Sequence, residues 1–377
     1  MLASSTVRTH GFPMANDGAA AALSAQGAHG SPTSGKPRDA LLVQAAKARQ
    51  LGSAFVEQML EAAWRQLDAA PVLAARIDGW ALDPGQSALA LRLNAGLHAL
   101  ARSGTCPRLS ALYEAGEGDF DGAVHEALSL CEPILLGWLD RPTQTNEVSR
   151  AAAFMAALAH LGAGQNMPVE LLELGASAGL NLNLHRYRYR LCGQEYGASD
   201  SSLSIVPRWL GGAPPLVPVS VIAARGVDLA PVVLTNPAEC ERLMAYAWRG
   251  ETRRARLLAK AIAIAHDHPP QVDRGAAGIW LAERLSEPQP NGVRRVIMHS
   301  MVMQYVGAEE RRAISALMRL AGAGASRNRP LAWVSFEWNP QRSDVLLRLT
   351  QWDGHDQGRP RVLAKTHPYG KWIDWLG

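Results

Sequence analysis

The sequence predicts an α/β protein, with a doubly wound, mostly parallel sheet following a helical N-terminal unit. Three observations carry this. Strand-like runs alternate with helical patterns from residue 168 onward, as crossover-connected parallel strands require. Residues 38–165 show helical periodicity and no convincing strand. A glycine loop, Gly175-Ala176-Ser177-Ala178-Gly179, follows directly on the first strand-like run.

Taken in order, residues 1–37 are rich in Ala, Gly, Ser, Thr and Pro without periodicity, and are expected to be disordered. In the helical unit, Phe55, Met59, Leu60, Ala63, Trp64 and Leu67 fall at helix spacing after Gly52-Ser53, where Ser53 is placed to cap. Further helical stretches run through Leu89–Leu100, Val124–Trp138 and Val148–Leu158, the last ending at Gly162-Ala163-Gly164. The α/β domain is expected over 166–377. Its strands are expected at 169–174, 219–224, 270–274, 294–299 and 330–337, and its helices at about 237–266, 277–286 and 308–322. Two antiparallel excursions are expected. One pairs Tyr187–Cys192 with Leu203–Leu210, and the other pairs Val345–Gln351 with Val362–Lys365 around Asp353-Gly354.

Composition narrows the function. The net charge of +4 is too mild to imply nucleic acid or a membrane surface, and no apolar run is long enough to span a bilayer. The four cysteines are far apart, which fits a reducing cytoplasm and gives neither a zinc knuckle nor a redox pair. His266 and His268 lack a third ligand at metal spacing, so no metal is expected. The run His185–Arg190 reads better as a period-2 strand, with Arg wet and Tyr packed, than as a nucleic-acid surface.

The glycine loop supports two chemistries. As G-x-S-x-G it is a nucleophile elbow with Ser177 attacking, for which Asp228 or Glu337 and His299 or His367 are available partners. As Glu173-x-Gly175-x-Ser177-x-Gly179 it is a loop that lets a nucleotide approach backbone. An elbow normally follows several strands, and its oxyanion hole uses an earlier one, but here the sheet begins at the loop. Glu173 would also be a costly buried charge in a hydrolase strand, whereas a carboxylate there suits a ligand with hydroxyls or a cationic amino acid. The spacing fails G-x-G-x-x-G, having Ser177 and Leu180 at two key positions, and matches the loop of class I S-adenosylmethionine-dependent methyltransferases.

Four segments resemble a bacterial domain-of-unknown-function family with a methyltransferase-like core. These are Gln144-Thr145-Asn146-Glu147-Val148 with Arg150; Leu172–Leu182 with Arg186-Tyr187; Arg225–Asp228 with Pro231; and His299-Ser300 with Tyr305 and Glu310-Arg311. The resemblance covers about 40–377. It implies a Rossmann-like, seven-stranded sheet with a C-terminal antiparallel hairpin and S-adenosylmethionine as cofactor, and supplies no substrate; a small-molecule acceptor is expected ahead of a macromolecule. Gly175, Ala176, Ser177 and Gly179 would then lie against the cofactor, Glu173 at its amino-acid end and Asp228 on its ribose hydroxyls. Gln144, Asn146 and Arg150 would close over it. Ser300 and His299 would face the methyl group, His299 as a general base, with Glu337 orienting the substrate. Two departures are visible: Ala276 stands where an acid near the adenine is expected, and Asn339–Asp344 is too short for a crossover helix. A non-catalytic module of the same fold is the alternative within this class.

Overall fold

The computed structural model describes residues 36–85 and 87–377, so the disorder expected for 1–37 falls almost wholly outside the described residues. After a 3-10 turn at Pro37–Asp39 come α1 (Ala40–Gln50), α2 (Ala54–Gln66), α3 (Pro71–Asp78), α4 (Leu89–Ser103), α5 (Pro107–Ala115) and α6 (Phe120–Leu139). Their apolar faces meet in one core that includes Phe55, Met59, Leu60, Leu73, Leu93, Leu97, Val124 and Leu135. Ser53 stands at the N-cap of α2, but its side chain makes no capping bond. Pro133 lies inside α6, where the helix kinks at Cys131, since proline removes a ladder donor and clashes with the preceding turn.

The next helix, α7 (Ala151–Gly164), belongs to a different core. Its small residues Ala151, Ala152, Ala153, Ala156 and Ala157 are buried in the cluster built around the sheet. Alanine carries no bulk beyond Cβ, so this helix is free to lie close against the strands.

The sheet contains β1 (Val169–Leu174), β5 (Arg208–Gly211), β6 (Val221–Asp228), β7 (Gln271–Arg274), β8 (Arg294–Ser300), β9 (Leu331–Trp338), β10 (Val345–Trp352), β11 (Arg361–Thr366) and β12 (Trp372–Trp375). They lie in the order β5-β12-β11-β10-β9-β8-β1-β6-β7. The five strands from β9 to β7 are mutually parallel. The connecting helices are α8 (Pro237–Ala245), α9 (Thr252–Asp267), α10 (Ala277–Ser286) and α11 (Ala308–Ala323). One face of the sheet packs with α7 and α9, and the other with α10 and α11.

Three expectations are corrected. The sheet has nine strands rather than seven, because β12 pairs antiparallel with β11 and β5 pairs parallel with β12. Tyr187–Cys192 and Leu203–Leu210 do not form a hairpin. Instead β2 (Arg188–Leu191) folds back on β3 (Gln194–Gly197), and β4 (Ser204–Ile205) joins β2 in parallel. The turn between β2 and β3 is Cys192-Gly193, with φ of 42° and 84°, the pair of positive values a two-residue hairpin turn of type I′ needs. The helix expected over 237–266 is two helices, because the chain turns at Trp248–Gly250, where Gly250 has φ 89°. At the short connection Asn339–Asp344, β10 folds straight back antiparallel on β9, which is what a link without a helix permits.

Candidate functional site

Strand β1 lies at the centre of the parallel strands, with β6 on one side and β8 on the other. Crossovers leave it in opposite directions, and at such a point a crevice opens beyond the carboxyl ends of the strands. Glu173, the loop 175–179, Asp228, His299-Ser300 and Glu337 all come from those carboxyl ends.

The loop is built by unusual backbone. Gly175, Ser177 and Gly179 have φ of 67°, 55° and 71°, so Ser177 occupies a conformation that favours glycine. A side chain at Gly175 would run into Val302, and one at Gly179 would come within 2.7 Å of Pro270 and Val272. Both glycines are therefore also required by packing.

Asp228 ties the loop down. Its Oδ2 accepts from Ser177 N–H at 2.9 Å, and its Oδ1 accepts from Ala230 N–H at 2.9 Å and from Gln144 Nε2 at 3.4 Å. Ser177 Oγ is hydrogen-bonded to Gln144 Oε1 at 2.5 Å, and so acts as the donor. Asn146 does not cap its own helix; its Oδ1 accepts from Ala178 N–H at 3.1 Å and Leu180 N–H at 3.3 Å. The N-cap role there falls to Glu147, which accepts from Ser149 N–H. Ala176 N–H donates to Val227 O and Gly179 N–H to Ala176 O. Every backbone donor from Ala176 to Leu180 thus has a partner within the chain.

Glu173 lies on the same sheet face and is 2% exposed. Its Oε1 accepts weakly from Asn181 Nδ2 at 3.5 Å, while Glu173 Oε2 and Asn181 Oδ1 have no partner among the described residues. Burial pushes the Glu173 carboxyl up to about 8; Asn181 and Arg150 pull it down and Asp228 adds to the rise. Arg150 is buried too, and burial pulls its guanidinium below the usual arginine range. It donates to Pro368 O at 2.9 Å and Ser300 Oγ at 3.3 Å, and lies 5.7 Å from the Phe336 ring centre.

The strand register splits the expected residues between two faces. Glu173 sits beside Met298 and Val334, whereas Leu174 sits beside His299 and Ser335. By alternation, Ser300 and Phe336 share the Glu173 face, and His299 and Glu337 share the other. There His299 Nδ1 bonds Glu337 Oε1 at 2.7 Å, and the same oxygen accepts from Val302 N–H at 2.9 Å and Met303 N–H at 3.2 Å. His299 Nε2 is buried without a partner. The structure thus gathers Gln144, Asn146, Ser177 and Asp228 into one network, with Glu173, Arg150 and Ser300 on that face and His299–Glu337 behind it.

Spacing in the sequence gives no sign of two further participants. Asn181 is the one side chain hydrogen-bonded to Glu173. Arg254 anchors the Gln144–Glu147 strap through Glu147 at 2.7 Å, and bonds Glu251 at 2.7 Å. Asp273, within β7, is bound to Arg225 at 2.8 Å and to Trp280 Nε1 at 2.6 Å. A cleft of about 620 Å³ lies elsewhere, toward the amino ends of β1 and β6, lined by Arg186, Val221 and Pro269. Tyr187 and Tyr189 are fully buried and Arg190 is exposed, as a period-2 strand requires. Among the described residues, no helix is long and apolar enough to cross a membrane.

The fold and the site define an α/β protein with a glycine loop at the middle one of its five parallel strands. The chain belongs to the family described as uncharacterized protein conserved in bacteria (DUF2332), whose model matches residues 38–375. No curated protein and no solved structure matches it.

Proposed function

We propose that this protein is a methyltransferase that uses S-adenosylmethionine to methylate a small-molecule acceptor, on a Rossmann-like core formed by β6 to β11 with β1. One observation carries the reading. Two buried acceptors, Glu173 Oε2 at the end of β1 and Asn181 Oδ1 just after the glycine loop, have no donor among the described residues. Buried polar atoms in native proteins are nearly always partnered, so this pair calls for a ligand rich in N–H donors. A cationic ammonium fits, because it supplies donors and also the positive charge a buried carboxylate lacks. The amino-acid end of S-adenosylmethionine is such a group.

In this reading Glu173 and Asn181 hold the ammonium. Asp228 keeps one acceptor site, on Oδ2, for a ribose hydroxyl, since each carboxylate oxygen accepts twice and Ala230, Gln144 and Ser177 take the other three. Gln144 and Asn146 close the crevice over the loop and exclude water. Bound cofactor would supply an electrophilic methyl group. The chain's own work is then to orient the acceptor in line with that group. The acceptor's proton would pass to a base, and His299 is a candidate only through movement of the turn after β8, which Glu337 holds.

A second reading is favoured by one fact. The backbone donors of the loop are already satisfied, and Val302 fills the space at Gly175, as in a closed, non-catalytic module. A serine hydrolase is the weakest reading, because Ser177 Oγ is bonded to Gln144 and no histidine is bonded to it.

The test is ligand-dependent melting with S-adenosylhomocysteine. At a hundred times Kd, binding should add about 2.7 kcal/mol of stability. Asp228→Ala should abolish the shift and Ser177→Ala should weaken it slightly. No shift at millimolar ligand would sink the cofactor claim. Binding without any methylated product from cell extract would favour the closed module. Labelling of Ser177 by a fluorophosphonate would favour the hydrolase.

A further inference from the structure

A second cleft, of about 500 Å³, lies where the helical core meets the sheet core. Its size falls within the range of small-molecule sites. The helical unit contributes Phe55 and the Gly52-Ser53 turn, the segment after α8 contributes Tyr246 and Trp248, which pack on that unit, and the loop after β11 contributes Tyr369. Four aromatic rings drawn from three separate parts of the chain thus wall one space.

The charges in it do not cancel. Arg254 is held by Glu147 and Glu251 at 2.7 Å each and lies 5.1 Å from the Tyr369 ring centre. Among the described residues Arg249 has no carboxylate: it donates to the carbonyls of Tyr113 and Glu114 and lies 5.0 Å from the Phe55 ring centre. Lys371, also lining the cleft, is exposed and has no carboxylate either. Three cations therefore face two carboxylates, which leaves one positive charge unmatched. His367 adds none, because burial and then Lys371 push its imidazole down to about 4. Its Nδ1 accepts from Tyr369 N–H at 3.0 Å, so the ring's proton is on Nε2 and available to donate.

We propose that this cleft binds a small aromatic carboxylate. Aromatic walls suit a planar apolar body, and a single unmatched positive charge suits a monoanion rather than a phosphate dianion. Arg249 and Lys371 would meet the carboxylate, with the His367 N–H as a third donor. Thr145 lines the same cleft, while its neighbours Gln144 and Asn146 hold the glycine loop. The strap is thus a shared wall between this cleft and the glycine loop.

The proposal stands apart from methyl transfer, and its test contains no cofactor. Benzoate is titrated calorimetrically into the full chain at low salt, beside benzamidine and benzyl alcohol, which have the same ring with a positive or no charge. Benzoate should bind at least about tenfold more tightly than either. Lys371→Glu, at an exposed side chain without a carboxylate partner, should weaken benzoate by about tenfold or more, and Lys371→Arg should retain it. Arg249→Gln should also weaken it, with the melting temperature followed because Arg249 clips α5 to the sheet unit. Absence of benzoate binding at 10 mM (roughly the weakest affinity of interest), equal binding of benzamidine or benzyl alcohol, or unchanged affinity in Lys371→Glu would each overturn the proposal.

Discussion

The two faces of the sheet's carboxyl edge treat their buried carboxylates in opposite ways. On the α10/α11 face, Glu337 accepts from His299, Val302 and Met303 and fixes the turn after β8. On the α7/α9 face, Glu173 has one weak donor and one oxygen with none. A carboxylate with three donors is accounted for by folding alone. A carboxylate with almost none is destabilising, and it persists where something other than folding requires it. On the proposed function, the difference puts the ligand on the Glu173 face, with His299–Glu337 a clamp behind it.

The largest effect should come from breaking the clamp. Glu337→Leu would leave three donors unpaired, one on a side chain and two on backbone, and should cost about 3–5 kcal/mol in urea unfolding. Glu337→Gln, which keeps an acceptor, should cost less than half of that, and equal costs would show that the hydrogen bonds are not what matters. Glu173 should behave in the opposite sense. Below the ordinary carboxyl value of 4.5, folded and unfolded chains both hold the proton. Between there and about 8 the unfolded chain has released it and the folded chain has not, so stability falls as pH rises through that window. Glu173→Gln should therefore gain on the order of 2 kcal/mol at pH ~8 and nothing near pH ~4, measured by unfolding across pH. Gln substitution that destabilises at high pH would show that Glu173 has a partner after all. Asp228→Asn should cost about 1 kcal/mol by weakening the Ser177 tether, read from hydrogen exchange of the loop amides. Smallest is Arg225→Gln, which removes the half-exposed pair with Asp273 and should cost under about 1 kcal/mol.

Much of this edge was legible in the sequence. β1 has the expected bounds, α10 matches 277–286, and β8 and β9 fall within a residue of expectation, because each is an apolar run or periodic stretch with clear punctuation. The convergence of Glu173, the loop and Asp228 followed from topology, since parallel strands put their carboxyl ends together. β5 and β12 were not legible: they are four residues each, and they pair across the chain at Arg208–Trp372 through Gly211–Trp375. The strap's contacts were hidden for the same reason. The resemblance put Gln144 and Asn146 over the cofactor, and only tertiary packing sends them to Ala178, Leu180, Ser177 and Asp228. The face split between Glu173 and His299 needed the register, which motif spacing does not supply.

The most direct measurement is the affinity for S-adenosylhomocysteine of the wild type, Glu173→Gln and His299→Gln, titrated calorimetrically at pH ~7 in two buffers of different ionisation enthalpy. Binding to the wild type should release a proton, because the ligand's ammonium lowers a carboxyl held near 8. Glu173→Gln should lose the proton release and about tenfold in affinity, and His299→Gln should keep both. Equal affinity in wild type and Glu173→Gln with no proton released, or loss confined to His299→Gln, would contradict a ligand site on the Glu173 face.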